Sequence, residues 1–195
     1  MSRCYNFNPG PATLPLSVLE EIQGELLDYR GTGMSIMESS HRAKEFDGVL
    51  QETKALIKEL NGFGDEYHVL FLGGGASTQF AMLPMNLLKE GESADYINTG
   101  TWTTKAIKEA KIIGRCNVAA STEDDNFARL PRQDELKLDP NAVYVHCCSN
   151  NTIKGTQYHA FPDTGKVPLS CDMSSDMFWR PFDPRPFGII FAGAQ

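Results

Sequence analysis

The sequence predicts an α/β fold in which helices pack around a mostly parallel sheet. Two observations carry that expectation. Short apolar runs alternate with segments of helical periodicity, and the runs are bounded by glycine, proline or asparagine. In sheets of this kind ligands sit beyond the carboxyl ends of the strands, so polar residues just past each apolar run matter most.

The elements follow in order. Residues 16–29 place Leu16, Leu19, Ile22 and Leu26 at helical spacing, with Pro15 in the first turn. Arg30 to Ser40 reads as a polar loop containing Gly31 and Gly33. A second helix carries Phe46, Val49, Leu50, Thr53, Leu56, Ile57 and Leu60 on one side and ends at Asn61-Gly62. Residues 67–72 (YHVLFL) predict a buried strand that runs straight into Gly73-Gly74-Gly75-Ala76-Ser77-Thr78. A helical pattern then continues through Leu88, with a kink expected at Pro84. Further strands are expected at 94–99, 117–120, 142–148, 167–172 and 188–192. No internal repeat or low-complexity tract interrupts this alternation.

Composition excludes several classes. Of 195 residues, 41% are apolar and 22% charged, an ordinary globular balance. No stretch of about 18 apolar residues predicts a membrane span, and the first residues, MSRCYNFNPGP, lack the apolar core of a secretory leader. Five cysteines without CxxC spacing argue against a disulfide framework or a zinc site, and for a reducing, cytoplasmic compartment. Eighteen basic against 25 acidic residues give a net charge of −7, which argues against a nucleic-acid surface.

The Gly73–Thr78 loop is the first candidate site. Glycines let backbone N–H groups approach a ligand, and a following helix N-terminus favours an anion. The loop is neither a Walker A loop nor GxGxxG, and a plain turn would look similar. Asp172 ends an otherwise apolar run, where a carboxylate faces either a ligand or the backbone of Met173-Ser174-Ser175 as a helix cap. Trp102 follows Asn98-Thr99-Gly100-Thr101 and suits either stacking on a flat ligand or core packing. Thr152 repeats the pattern of a hydroxyl beyond a strand end. His41-Arg42 suits either a bidentate grip on an anion or a solvated surface pair. Cys147-Cys148 reads as packing on opposite strand faces, and His68, His146 and His159 lack metal-ligand spacing.

A phosphate cradle, an aromatic ring, a hydroxyl and a strand-end carboxylate together fit a flat, phosphorylated, cationic heterocycle. Pyridoxal 5′-phosphate has that chemistry. The motifs NFNPGPATLP (6–15), GTGMSIMESSHRAKEF (31–46), VLFLGGGASTQFAMLPMNLL (69–88), ADYINTGTW (94–102), CSNNTIKGTQ (148–157) and FAGAQ (191–195) resemble the phosphoserine aminotransferase family. The likeness extends over nearly the whole chain, from Tyr5 to Gln195.

That resemblance implies an α/β large domain of the fold-type I, pyridoxal-phosphate-dependent transferases, with a mostly parallel central sheet and flanking helices. It implies that residues 1–15 belong to a small domain and 16–195 to an incomplete cofactor-binding large domain. Ala76 and Ser77 would hold the cofactor phosphate, together with Gln195. Trp102 would stack on the ring, Thr152 would meet the ring oxygen, and Asp172 would pair with the ring nitrogen. His41 and Arg42 would grip the distal phosphate or carboxylate of the substrate, reaching from the neighbouring subunit of a homodimer. Some members carry an arginine where this chain has Ala76. The family's cofactor-bearing lysine would come directly after Gln195, so residues 1–195 alone are expected to be inactive. The implied reaction, in L-serine biosynthesis, converts 3-phosphohydroxypyruvate and L-glutamate to O-phospho-L-serine and 2-oxoglutarate. Two other readings stay open: a non-catalytic cofactor-binding and dimerisation fragment, and a phosphosugar or nucleotide binder using the glycine loop alone.

Overall fold

A computed structural model describes residues 3–193, which fall into two compact units, one running to Leu70 and the other starting at Phe71. The described residues of the N-terminal unit hold two α-helices. Helix α1 spans Leu16–Glu25 and ends short of the expected Tyr29. The reason is local: Arg30, Gly31 and Gly33 adopt left-handed backbone, and Tyr29 donates its N–H to the Met34 carbonyl at 2.9 Å, closing a tight loop. The apolar stripe of α1 is present in the sequence, yet α1 buries none of its residues. Helix α2 spans Lys44–Asn61 as the periodicity requires. It stops at Gly62, whose left-handed φ of 67° lets its N–H reach the carbonyls of Glu59 and Lys58.

The expected strand at 67–72 does not form. These residues join no sheet, and Leu70, Phe71 and Leu72 are exposed. Apolar, β-branched content makes a segment fit a pleated surface, but strand geometry needs a hydrogen-bonding neighbour, and none of the described strands pairs with this segment. The glycine loop therefore opens a helix without following a strand.

The second unit begins with helix α3, Gly75–Leu87. Pro84 sits buried inside α3, and the helix continues past it, with Leu88 N–H donating to the Pro84 carbonyl at 2.9 Å. Strand β1 (Ser93–Asn98) leads to helix α4 (Thr101–Ile113), then to β2 (Arg115–Ser121). Strand β3 (Val145–Cys148) is followed by a small hairpin, β4 (Asn150–Asn151) and β5 (Thr156–Gln157). Strands β6 (Leu169–Asp172) and β7 (Phe187–Phe191) complete the unit. The five long strands form one parallel sheet in the order β2-β1-β3-β6-β7. Helix α4 was not among the expected elements, although Ala106, Ile107 and Ala110 carry helical spacing and all three are buried.

Side chains alternate across the sheet. Val145, Cys147, Leu169 and Cys171 join a core with Tyr158, Met173 and Phe187 on one face. Ala94, Tyr96 and Tyr144 join Phe80 and Leu83 of α3, Ala106, Ile107 and Ala110 of α4, and Phe191 on the other. As expected, Cys147 and Cys148 pack; both are buried, and all five cysteines are free thiols. His146 is fully buried against Phe80, Tyr96 and Phe191, and burial pushes its pKa down to about 3, so it is a neutral core residue. No helix among the described residues is long and apolar enough to cross a membrane.

Candidate functional site

Parallel register brings the carboxyl ends of the strands to one edge of the sheet. Cys148 pairs with Asp172, and Asp172 with Phe191. Three of the expected site residues leave from that edge. Asp172 is the last residue of β6, Trp102 is the second residue of α4 just past β1, and Thr152 lies in the turn of the β4–β5 hairpin just past β3.

Polar contacts lock these exits together. Asn98 Oδ1 accepts the hydroxyls of Thr103 (2.9 Å) and Thr104 (3.0 Å). Thr103 Oγ1 in turn accepts the backbone N–H groups of Thr99 (2.9 Å) and Gly100 (3.1 Å). The Asn151 amide donates to the Thr99 carbonyl at 2.8 Å, while its Oδ1 accepts the N–H of Ile153 at 3.1 Å. A side chain at Gly100 would collide with the Asn151 amide nitrogen, and Gly100 has φ 153°. This corner sets the positions of Trp102 and of the turn bearing half-buried Thr152. Trp102 packs its ring against the Phe80 core, and the Lys105 ammonium lies 4.7 Å from the ring centroid.

Asp172 is buried, with 4% of its surface exposed. Both of its hydrogen bonds fall on one oxygen: Oδ1 accepts the Ser174 hydroxyl at 2.6 Å and the Ser174 N–H at 2.9 Å. No described residue donates to Oδ2, and no described cation pairs with the carboxylate. Burial pushes its pKa up, the two Ser174 hydrogen bonds pull it down, and the neighbouring Asp176 pushes it up. Asp172 thus accepts from the Ser174 backbone and hydroxyl at a turn, where the cap reading expected a helix start, and its second oxygen has no donor among the described residues.

The start of α3 lies beside this carboxylate. Gly193 N–H donates to Ser174 Oγ at 2.9 Å, and a Cβ built on Gly193 would stand 3.5 Å from the Ala76 backbone nitrogen. Ala76 and Ser77 occupy the first turn of α3, whose N–H groups have no intrahelical partner, and no side chain caps that end. Gly74 (φ 95°) and Gly75 (φ 63°) make the entry to the helix, and the Thr78 hydroxyl donates back to the Gly74 carbonyl at 2.8 Å. An uncapped helix start of this kind suits an anion.

The structure therefore gathers Ala76, Ser77, Trp102, Thr152 and Asp172 at the same sheet edge. Gln195 lies outside the described residues. His41 and Arg42 belong to the N-terminal unit, ahead of α2, and both are exposed; the guanidinium has no ion pair among the described residues. Sequence reasoning missed Ser174, Gly193 and the Asn98–Thr103–Asn151 lock. The signals available were Asp-x-Ser at a strand exit and Asn-x-Gly opening a helix.

The chain is 64% identical to a phosphoserine aminotransferase of Desulfatibacillum aliphaticivorans, over all of this chain and 54% of that protein. It superposes on the phosphoserine aminotransferase of Bacillus circulans subsp. alkalophilus with TM-score 0.95 at 57% identity, covering 98% of this chain and 53% of the other. A phosphoserine aminotransferase from Trichomonas vaginalis, solved with pyridoxal phosphate bound, aligns with TM-score 0.89 at 37% identity, covering 97% of this chain and 57% of the other. The chain spans about half the length of the curated relatives it matches. Residues 4–195 match the aminotransferase class-V description. By sequence, over residues 4–195, the chain belongs to the aminotransferase class-V family.

Proposed function

We propose that this chain carries the cofactor-binding part of a phosphoserine aminotransferase, acting in L-serine biosynthesis with pyridoxal 5′-phosphate. The buried Asp172 carboxylate supports this reading most directly. A carboxylate with one oxygen held and no cation nearby is stable as an anion only beside a positively charged donor. A ring N–H⁺ is such a donor, whereas a phosphosugar has none. The residues present fit the cofactor: the uncapped first turn of α3 for its phosphate, Trp102 for its ring, Thr152 for the ring oxygen and Asp172 for the ring nitrogen.

When bound, pyridoxal phosphate supplies an electron sink for the deprotonated amino-acid carbon. Asp172 holds the proton on the ring nitrogen. Backbone N–H groups at Ala76 and Ser77 would hold the cofactor's phosphate, and Trp102 would offer an aromatic face to its ring. Arg42, with His41, grips the second anion that both substrates carry, phosphate in one and carboxylate in the other, because a guanidinium fork accepts either. In this reading the two residues act in the neighbouring subunit of a cytoplasmic homodimer. Residues 1–15 belong to a small domain and 16–195 to the large one. In this reading residues 1–195 alone turn nothing over.

The test uses the complete protein. Pyridoxal phosphate should bind with a visible absorbance change that borohydride makes permanent, and L-glutamate should donate its amino group to 3-phosphohydroxypyruvate. Asp172→Ala should lower turnover about 100-fold, roughly 3 kcal/mol, and much more than it lowers cofactor affinity. Near-normal turnover in that variant would remove Asp172 from the mechanism, and no cofactor binding by the unaltered protein would remove the whole reading.

A further inference from the structure

Two groups converge on one hydroxyl at the sheet edge. Ser174 Oγ donates to Asp172 Oδ1 at 2.6 Å and accepts the Gly193 N–H at 2.9 Å, while the Ser174 N–H also donates to Oδ1 at 2.9 Å. A serine hydroxyl has one proton and two lone pairs, so this donor–acceptor pair uses its proton and one lone pair. The short contact to Asp172 is charge-assisted, of the stronger kind. Gly193 is further confined, since an added Cβ would touch both Ser174 Oγ and the Ala76 nitrogen at 3.5 Å.

We propose that Ser174 is a positioning residue for the cofactor: its hydroxyl holds Asp172 by Oδ1, keeps Oδ2 free for the ring nitrogen, and ties the exit of β7 at Gly193 to the exit of β6. The inference rests on the cofactor reading above and deepens it. Its physical content is a division of labour between the two carboxylate oxygens. Without the hydroxyl, only the backbone N–H of Ser174 restrains the carboxylate, which is then free to rotate about its own bonds. Proton affinity would change as well. The titratable groups that act on Asp172 are Asp176, four residues along the chain, and the thiols of Cys148, its cross-strand partner on β3, and of Cys171, the preceding residue of β6. Burial and Asp176 both push Asp172 towards its protonated form, and Ser174 supplies the opposing hydrogen bonds. Asp176 is itself engaged, accepting the Ser149 hydroxyl on Oδ1 and the Gln157 amide at 2.8 Å on Oδ2.

The experiment compares the complete protein with its Ser174→Ala and Ser174→Thr variants. Pyridoxal phosphate is titrated into each across a range of pH, and binding is followed by absorbance; thermal unfolding of each cofactor-free protein is recorded alongside. In Ser174→Ala the affinity should fall about tenfold, and the acidic midpoint of the binding profile should rise by about one pH unit. Threonine keeps the hydroxyl and should restore both, with the unfolding midpoint close to that of the unaltered protein in each case. A Ser174→Ala profile that superposes on the unaltered one overturns the proposal and leaves the cofactor reading standing. So does a loss of affinity that threonine does not restore, or one that tracks a lowered unfolding midpoint. No binding by the unaltered protein overturns both.

Discussion

At the carboxyl end of β1, polar side chains close on one another; at the carboxyl end of β6, one stops short of closing. Asn98 and Thr103 join through their side chains, Thr103 accepts the N–H groups of Thr99 and Gly100, Asn151 donates to the Thr99 carbonyl, and the groups they satisfy are buried. Asp172 is equally buried, but its hydrogen bonds stop at Oδ1. Both corners consist of the same kinds of residue at the same sheet edge. Their difference lies in whether the polar capacity is used up inside the chain. A closed network fixes geometry and has nothing left to bind with; a carboxylate with a free oxygen is held at the expense of stability until a partner arrives.

The largest effect on folding should follow from opening the closed corner. Thr103→Val keeps the shape but removes the oxygen that accepts the N–H groups of Thr99 and Gly100, both buried. The Thr99 N–H is then unsatisfied and the Gly100 N–H keeps only its 3.4 Å contact to Asn98 Oδ1, which should destabilise the protein by ~1–3 kcal/mol. Denaturant unfolding would register this as a lower midpoint at unchanged slope. A loss below about 0.5 kcal/mol would mean that the corner is no lock and that the comparison fails.

The open corner should respond in the opposite direction. Asp172→Asn removes a charge that burial disfavours and keeps an oxygen for the Ser174 donors. The cofactor-free variant should be more stable by about 1 kcal/mol or more at neutral pH. The sign of its pH dependence follows from the raised pKa. An acid whose folded value lies above its ordinary 3.8 binds more protons folded than unfolded, so the unaltered protein loses stability as pH rises through that range. The advantage of the asparagine variant should therefore be present at neutral pH and vanish as pH falls to the ordinary carboxylate range. Stability curves of the two proteins that stay parallel across that range would show that Asp172 is not strained.

How much of this was legible in the sequence depends on the range of the interaction. Gly62, the apolar face of α2 and the glycine entry to α3 rest on neighbours a few residues away, and all three could be read directly. Asp172 was legible as a carboxylate ending an apolar run, and so was its alternative as a cap, because both follow from adjacent residues. The Asn151–Thr99 contact joins residues 52 apart and Gly193–Ser174 joins residues 19 apart, and no local pattern announces either. The segment 67–72 failed for the same reason in reverse: its residues suit a strand, but a strand is a property of a pair. The glycine loop, Trp102 and Asp172 were candidates from residue chemistry and family resemblance. Their mutual support came only with the fold.

The smallest effect on folding should come from a residue outside both corners, and it separates fold from function most sharply. Arg42 is exposed in the N-terminal unit, its side chain makes no ion pair among the described residues, and only its backbone N–H is engaged, by the Ser40 hydroxyl at 3.2 Å. Arg42→Ala should leave stability unchanged within about 0.5 kcal/mol, as for most exposed positions. If the guanidinium grips the second anion of each substrate, the same change should raise the apparent KM for both O-phospho-L-serine and L-glutamate. Losing a charge-assisted bidentate contact should lower affinity by about tenfold or more, ~1.5–3 kcal/mol. Lysine at this position restores the charge but not the fork, so Arg42→Lys should recover only part of the affinity. Steady-state kinetics on the complete enzyme with each substrate in turn decide the matter. A rise for one substrate alone would confine Arg42 to that substrate's anion, and no rise for either would make His41-Arg42 a solvated surface pair.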